Sequence, residues 1–240
     1  GTKLEGVGWM RISAADGSID TGLYTWNNPV SAPKLLGIQN EMSDVVDGAL
    51  TSLGEWLKTK VGVCTVTQTI FDPTAVDASG KPVRIVRTAE TNLGDLICDA
   101  MLWQIGLLGE SADAAIVNSG GIRATIPAGD VTKKDINAVL PYGNTLYMIQ
   151  VTGADLLEVL EASTCYAPQA VPCFPQVGGI SFTINTGAPF ATSGLYPGST
   201  YPQPDAVNRV TIQTIGGRVF DESETYTIVT NDYLAAGGDT

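Results

Sequence analysis

From Arg84 onward the sequence changes period repeatedly, and this alternation is the strongest constraint on what the chain can fold into. Stretches with apolar residues at three- and four-residue steps alternate with short apolar runs, the pattern of helices interleaved with buried strands. Over 92–105 a helical stripe is formed by Leu93, Leu96, Ile97, Ala100, Met101 and Leu102. A strand is predicted at 114–117, ending in the glycine-rich turn Asn118-Ser119-Gly120-Gly121. Thr132 and Thr152 each stand three residues before an aspartate, Asp135 and Asp155, which predicts two helices opened by capping boxes. A strand over 146–151 separates them. Further strands are predicted at 179–184, 207–215 and 225–229, and 187–204 reads as a loop rich in Gly, Pro, Ser and Thr. The result is a mixed α/β (α+β) domain.

Ahead of it the pattern differs. Residues 4–26 hold two strand-like runs around Asp16-Gly17, a hairpin signature. After a turn-rich break at 27–33, apolar residues from Leu35 to Leu57 recur at helical steps. They predict a long helix over 33–60, about 40 Å at about 1.5 Å per residue, placed as a connector. Pro33 suits its first turn. The first residues enter directly into strand alternation and the last stop inside a loop motif, so the chain is expected to be a piece of a longer protein. The lack of a signal peptide then says little about location.

Composition narrows the chemistry. In 240 residues, 44% are apolar and 16% charged, which excludes a disordered chain. A formal net charge of −12 makes nucleic-acid polymers and anionic membranes poor partners, and no apolar run is long enough to span a bilayer. The chain has no histidine, so it cannot build a Ser-His-Asp triad, a Cys-His pair or a histidine metal site by itself. Of the four cysteines, Cys165 and Cys173 flank a proline-rich loop. A bridge there would staple the loop and imply an oxidising compartment; the alternative is two free thiols. Cys64 and Cys98 read as buried small apolar residues.

Several residues carry candidate binding chemistry. Arg123 ends the run NSGGIR, where glycines let backbone N–H groups approach a ligand and a guanidinium can fork onto phosphate or carboxylate. Arg87 precedes the helix start at Glu90-Thr91-Asn92, an end that favours anions. The plain alternative for each is a structural ion pair. Tyr142 in LPYGN and Tyr233 in TNDYLAAGGD stand on loops beside glycines, as stacking platforms or as half-buried loop closers. Asp239 follows two glycines and suits ligand hydroxyls, or is a turn aspartate. The segment 72–82 lacks the alternating ligands of a calcium loop and reads as a turn.

In order, Arg87-x-x-Glu90-Thr91-Asn92-Leu93-Gly94-Asp95-Leu96, NSGGIR, Leu140-Pro141-Tyr142-Gly143-Asn144-Thr145 and Asn231 to Asp239 resemble the C-terminal domain of the 5'-nucleotidase family. That family includes UDP-sugar hydrolases and 2',3'-cyclic-nucleotide phosphodiesterases. The resemblance covers 62–240 and implies a mixed sheet with flanking helices. It implies that 1–30 is the tail hairpin of an N-terminal metallophosphatase domain, that 31–61 is the connector helix, and that 62–240 binds substrate. Two divalent metal ions are expected in the N-terminal domain and no cofactor in this part, which is expected to be inactive alone. The implied parent is an extracellular, periplasmic or cell-surface hydrolase of nucleotide phosphoesters.

By motif, Arg87 and Arg123 resemble the arginines that grip the phosphate or ribose side, with Arg84 an additional candidate. Asn118 resembles the nucleoside contact, with Gly120 and Gly121 beside it. Tyr142 and Tyr233 stand where the family usually has two phenylalanines sandwiching the base, and Asp239 resembles the ribose-binding aspartate. Where members often have a glycine at the base edge, this chain has Val171-Pro172-Cys173, and proline has no N–H to donate. A second reading is therefore kept: a non-catalytic surface-binding domain with a degenerate pocket.

Overall fold

The computed structural model describes residues 6–13, 15–25 and 41–239. The chain divides into two compact units, 1–58 and 59–240. In the first, β1 (Gly6–Ile12) pairs antiparallel with β2 (Ile19–Thr25). Asp16 closes their turn by accepting from the Ser18 N–H and hydroxyl, and Gly17 takes φ of +70°. Helix α1 spans Glu41–Leu57. The predicted helix ran on to Lys60, but Lys60 already begins a strand; its expected start over 33–40 lies outside the described residues, as do the whole 27–33 break and positions 4, 5 and 26.

The second unit opens with β3 (Lys60–Cys64), β4 (Phe71–Val76) and β5 (Pro82–Arg84). The segment 72–82, read as a turn, is therefore strand at both ends, because β4 and β5 pair antiparallel around a shorter turn. Helix α2 (Asn92–Leu107) leads to β6 (Ala114–Asn118), then β7 (Gly129–Thr132) and α3 (Lys133–Val139). Next come β8 (Leu146–Thr152), α4 (Gly153–Ser163), β9 (Pro175–Gly178) and β10 (Ile180–Ile184). The expected loop 187–204 contains a small hairpin of β11 (Gly194–Leu195) and β12 (Pro202–Gln203). The chain ends through β13 (Val210–Ile215), β14 (Arg218–Val219), β15 (Thr225–Asn231) and the short helix α5 (Asp232–Ala235). Among the described residues no helix is long and apolar enough to cross a membrane.

The central sheet has the order β8-β15-β6-β9. Only β15 and β6 run parallel, so the sheet is mixed as expected. All five residues of β6 are buried, because both faces are covered. Ala115, Val117 and Val229 join Leu93, Ile97 and Met101 of α2 on one side. On the other side Ala114, Ile116 and Ile228 join Leu156 and Leu160 of α4. Both predicted capping boxes form, with Asp135 Oδ2 accepting from Thr132 and Asp155 Oδ2 from Thr152.

Two further expectations fail. Leu96 and Ala100 of the predicted stripe are exposed, while Gly94, Cys98 and Ile105 are buried. Helix α2 lies so close to β9 that a Cβ on Gly94 would overlap Gln176 Oε1, and one on Gly178 would come 2.7 Å from Cys98 Cβ. Small residues, which carry little hydrophobic signal, therefore form the contact. Cys165 and Cys173 form no disulfide; both are buried free thiols. Their loop is held instead by Arg209, whose guanidinium donates to the carbonyls of Thr164, Cys165 and Ala167. Buried Glu161 completes the anchor by accepting from the N–H groups of Arg209 and Val210, both at 2.9 Å.

Candidate functional site

The parallel strands β6 and β15 end side by side, and β8 begins at the same end of the sheet, with Leu146 paired to Asn231. Chain leaving or entering there is gathered into one place, the usual position of ligand clefts in sheets with parallel strands. The NSGGIR run leaves β6 as a 3-10 turn over Ser119–Gly121. Tyr142 stands in the turn before β8, where Gly143 takes φ of +64°. Tyr233 follows β15 on α5, and the Asp232 N–H donates to Thr145 O at 2.9 Å, tying the two tyrosine loops together.

Between these loops lies a cleft of about 580 Å³. It is lined by Arg87, Asn118, Arg123, Tyr142, Tyr233 and Asp239, with Gly120 and Gly121 between them. Asn144 and Pro172, to which the motifs assigned no contact, line it too. Tyr142 is 63% and Tyr233 46% exposed, so both rings present area to the cleft.

Arg84 is absent from the lining but belongs to the same charge group. Burial, then the neighbouring charges of Arg87 and Arg123, push its guanidinium pKa down. Arg84 donates to Ile122 O at 2.6 Å and Arg123 to Gly120 O at 3.1 Å. Among the described residues no carboxylate forms an ion pair with any of the three. The Nε atoms of Arg84 and Arg87 are buried without a hydrogen-bond partner. Three neighbouring guanidinium groups, two of them with an unpartnered Nε, concentrate positive charge beside the cleft of a chain whose net charge is −12, an arrangement chemically suited to an anion.

The polar end of the cleft is pre-ordered. Asn118 is buried, accepts from Asn231 Nδ2 at 3.1 Å and donates to Asp239 Oδ2 at 2.7 Å. Its side chain is thereby withdrawn from capping the turn it precedes. Asp239 turns back toward Tyr233 through Gly237, at φ +84°, and itself takes φ of +58°. Gly238 lies under the Tyr233 ring, where a Cβ would come within 2.6 Å of ring carbons.

The glycine turn works differently from expectation. The Gly120 N–H donates to Pro172 O at 2.8 Å rather than pointing at a ligand. A Cβ on Gly120 would stand 3.0 Å from Pro172 Cβ, so this glycine makes room for the proline loop. Two further residues of the site carried no assignment. Asn231 lay within a quoted motif; Tyr201, which donates to Asp239 Oδ1 at 3.2 Å, comes from the 187–204 segment, where no pattern marks it.

The model for the 5'-nucleotidase C-terminal domain matches residues 61–240. The chain belongs to this family. As a 5'-nucleotidase C-terminal domain it is 34% identical over 220 residues to the trifunctional nucleotide phosphoesterase protein YfkN of Bacillus subtilis, covering 90% of this chain and 12% of that protein. It is 33% identical over 155 residues to a 5'-nucleotidase of Vibrio vulnificus, covering 65% of this chain and 23% of that protein. The fold is shared with the 5'-nucleotidase precursor of Thermus thermophilus, at a TM-score of 0.61 and 23% identity, over 98% of this chain and 41% of that one. The chain thus spans less than half the length of each.

Proposed function

We propose that this domain holds the nucleoside and phosphate of a nucleotide for a metal-dependent phosphohydrolase of which it is one part. The carrying observation is the meeting in one cleft of two exposed tyrosine rings, a guanidinium group without acidic partners, and an ordered Asn118–Asp239 pair. The volume of about 580 Å³ suits a small organic ligand. In this reading the base stacks on Tyr142 and Tyr233, worth about 1–3 kcal/mol per stacked base. Asp239 and Asn118 take the ribose, and Arg87 and Arg123 take the phosphate, with Arg84 reinforcing their charge.

The residues described here do not fit the metal ions of such an enzyme. The chain has no histidine, and among the described residues no three Cys, Asp or Glu gather as a metal site. No hydrolytic step is assigned to them. The metal centre belongs, in this proposal, to a preceding metallophosphatase domain of an extracellular, periplasmic or cell-surface parent, joined through the 31–61 segment. The domain's own contribution is to position substrate, using binding energy remote from the reacting phosphorus.

Calorimetric titration of adenosine and AMP into the chain and its Tyr142→Ala and Tyr233→Ala variants tests the reading. Loss of about tenfold or more in affinity in each variant is expected. Equally weak signals from all three proteins would favour the surface-binding alternative.

A further inference from the structure

The Asp239 carboxylate is gripped from three elements. Asn118 at the end of β6 donates Nδ2 to Oδ2 at 2.7 Å. On Oδ1, the Tyr233 hydroxyl donates at 2.9 Å and the Tyr201 hydroxyl at 3.2 Å. Tyr201 precedes β12 and its ring packs on the cluster of Ala167, Val171, Cys173 and Phe174. Burial and the Asp239 charge push its phenol pKa up to about 12, so it remains a donor across the physiological range.

An ionised carboxylate accepts only, with about two lone-pair positions on each oxygen. Here both positions on Oδ1 and one on Oδ2 are taken. A vicinal diol needs two acceptor positions to bind both hydroxyls. We propose that Tyr201 is a specificity-determining residue, its hydroxyl holding the Oδ1 position that a second ribose hydroxyl would otherwise take, so that Asp239 reads one sugar hydroxyl through Oδ2. This rests on the nucleoside reading of the cleft. A ligand hydroxyl displaces Tyr201 only by leaving a half-buried phenol without its acceptor, which opposes the exchange. Of the two tyrosine bonds the Tyr201 bond is the longer, and its donor comes from a loop outside the cleft lining, so a substitution can remove it without altering a residue of the cleft wall.

The test is calorimetric titration of adenosine, 2'-deoxyadenosine and 3'-deoxyadenosine into the 240-residue chain and its Tyr201→Phe variant. Phenylalanine keeps the ring in the cluster and removes only the donor. In the unmodified chain, removing one of the two sugar hydroxyls should weaken binding about tenfold and removing the other less than about threefold. In Tyr201→Phe both removals should weaken binding, each by about fivefold or more. Equal dependence on both hydroxyls in the unmodified chain overturns the proposal, as does an unchanged one-hydroxyl pattern in the variant. Absence of adenosine binding by the unmodified chain overturns the nucleoside reading itself, and this proposal with it. If thermal melting shows Tyr201→Phe unfolded, Tyr233→Phe opens the other Oδ1 position and must produce the same change of pattern.

Discussion

Asn118 donates its side-chain amide to the Asp239 carboxylate at 2.7 Å across 121 positions of sequence. The bond ties the end of β6 to the end of the described chain and gives the cleft its fixed polar corner. Since Asn118 is buried and also accepts from Asn231, Asn118→Ala leaves an amide donor without a partner and a carboxylate with one fewer. The expected cost is about 1–3 kcal/mol of stability, read by denaturant unfolding. Adenosine affinity should fall about tenfold or more, and wild-type affinity in the variant would contradict the role of the pair.

The arginine cluster predicts a difference between AMP and adenosine. Hydrogen bonds to charged groups contribute about 1.5–3 kcal/mol each, roughly ten- to hundredfold in affinity. Arg87→Ala and Arg123→Ala should each remove that much from AMP binding while leaving adenosine within about threefold. A parallel loss for both ligands would place the arginines elsewhere than on the phosphate.

Gln176 anchors the α2 start. Its Oε1 accepts from the Thr91 N–H and hydroxyl, both at 3.0 Å, and its Nε2 donates to Val86 O and Ala89 O. Gly94→Ala would ordinarily stabilise a helix by about 1 kcal/mol. Here the added methyl overlaps Gln176 Oε1 and displaces this network. A net loss of about 2 kcal/mol or more is expected, since each hydrogen bond contributes about 1 kcal/mol. A stabilised variant in urea unfolding would refute the close packing of α2 on β9.

The cysteines predict a pH limb. Burial pushes the Cys98 thiol well up and the Cys173 thiol to about 12. Between the unfolded thiol value of about 8.5 and those values, the folded chain keeps protons that the unfolded chain releases. Their contribution is complete below about pH 8.5 and is lost as pH climbs through that window. On the acid side the capping threonine hydroxyls hold Asp135 and Asp155 low, so their contribution is present above about pH 4 and lost below it. Melting temperature against pH should show both limbs, and Cys98→Ala should flatten the alkaline one.

The same thiols predict a chemical outcome. Cys98, Cys165 and Cys173 are buried and Cys64 is partly exposed. In the native chain Cys64 should be alkylated first; in denaturant without reductant all four should react. Protection of the Cys165 and Cys173 peptides until reductant is added would show a bridge.

The periodicities, the capping threonines and the glycine turns were legible in the sequence because each depends on neighbours a few residues away. That is why the strands predicted over 114–117, 146–151, 179–184 and 225–229, both capping boxes and the Asp16-Gly17 hairpin form close to where local rules put them, whereas β4, β5 and β9 carried no such signal. The absence of histidine likewise decides without any structure that no imidazole chemistry arises from this chain. The path of the chain in space decided the rest. Leu96 and Ala100 lie outside the core because the close approach of α2 to β9 selects glycine and cysteine, whose value is their small size. Tyr201 reaches Asp239 because a hairpin inside an apparently featureless loop delivers it there. Contacts of that kind join segments distant in sequence, and no local pattern records them.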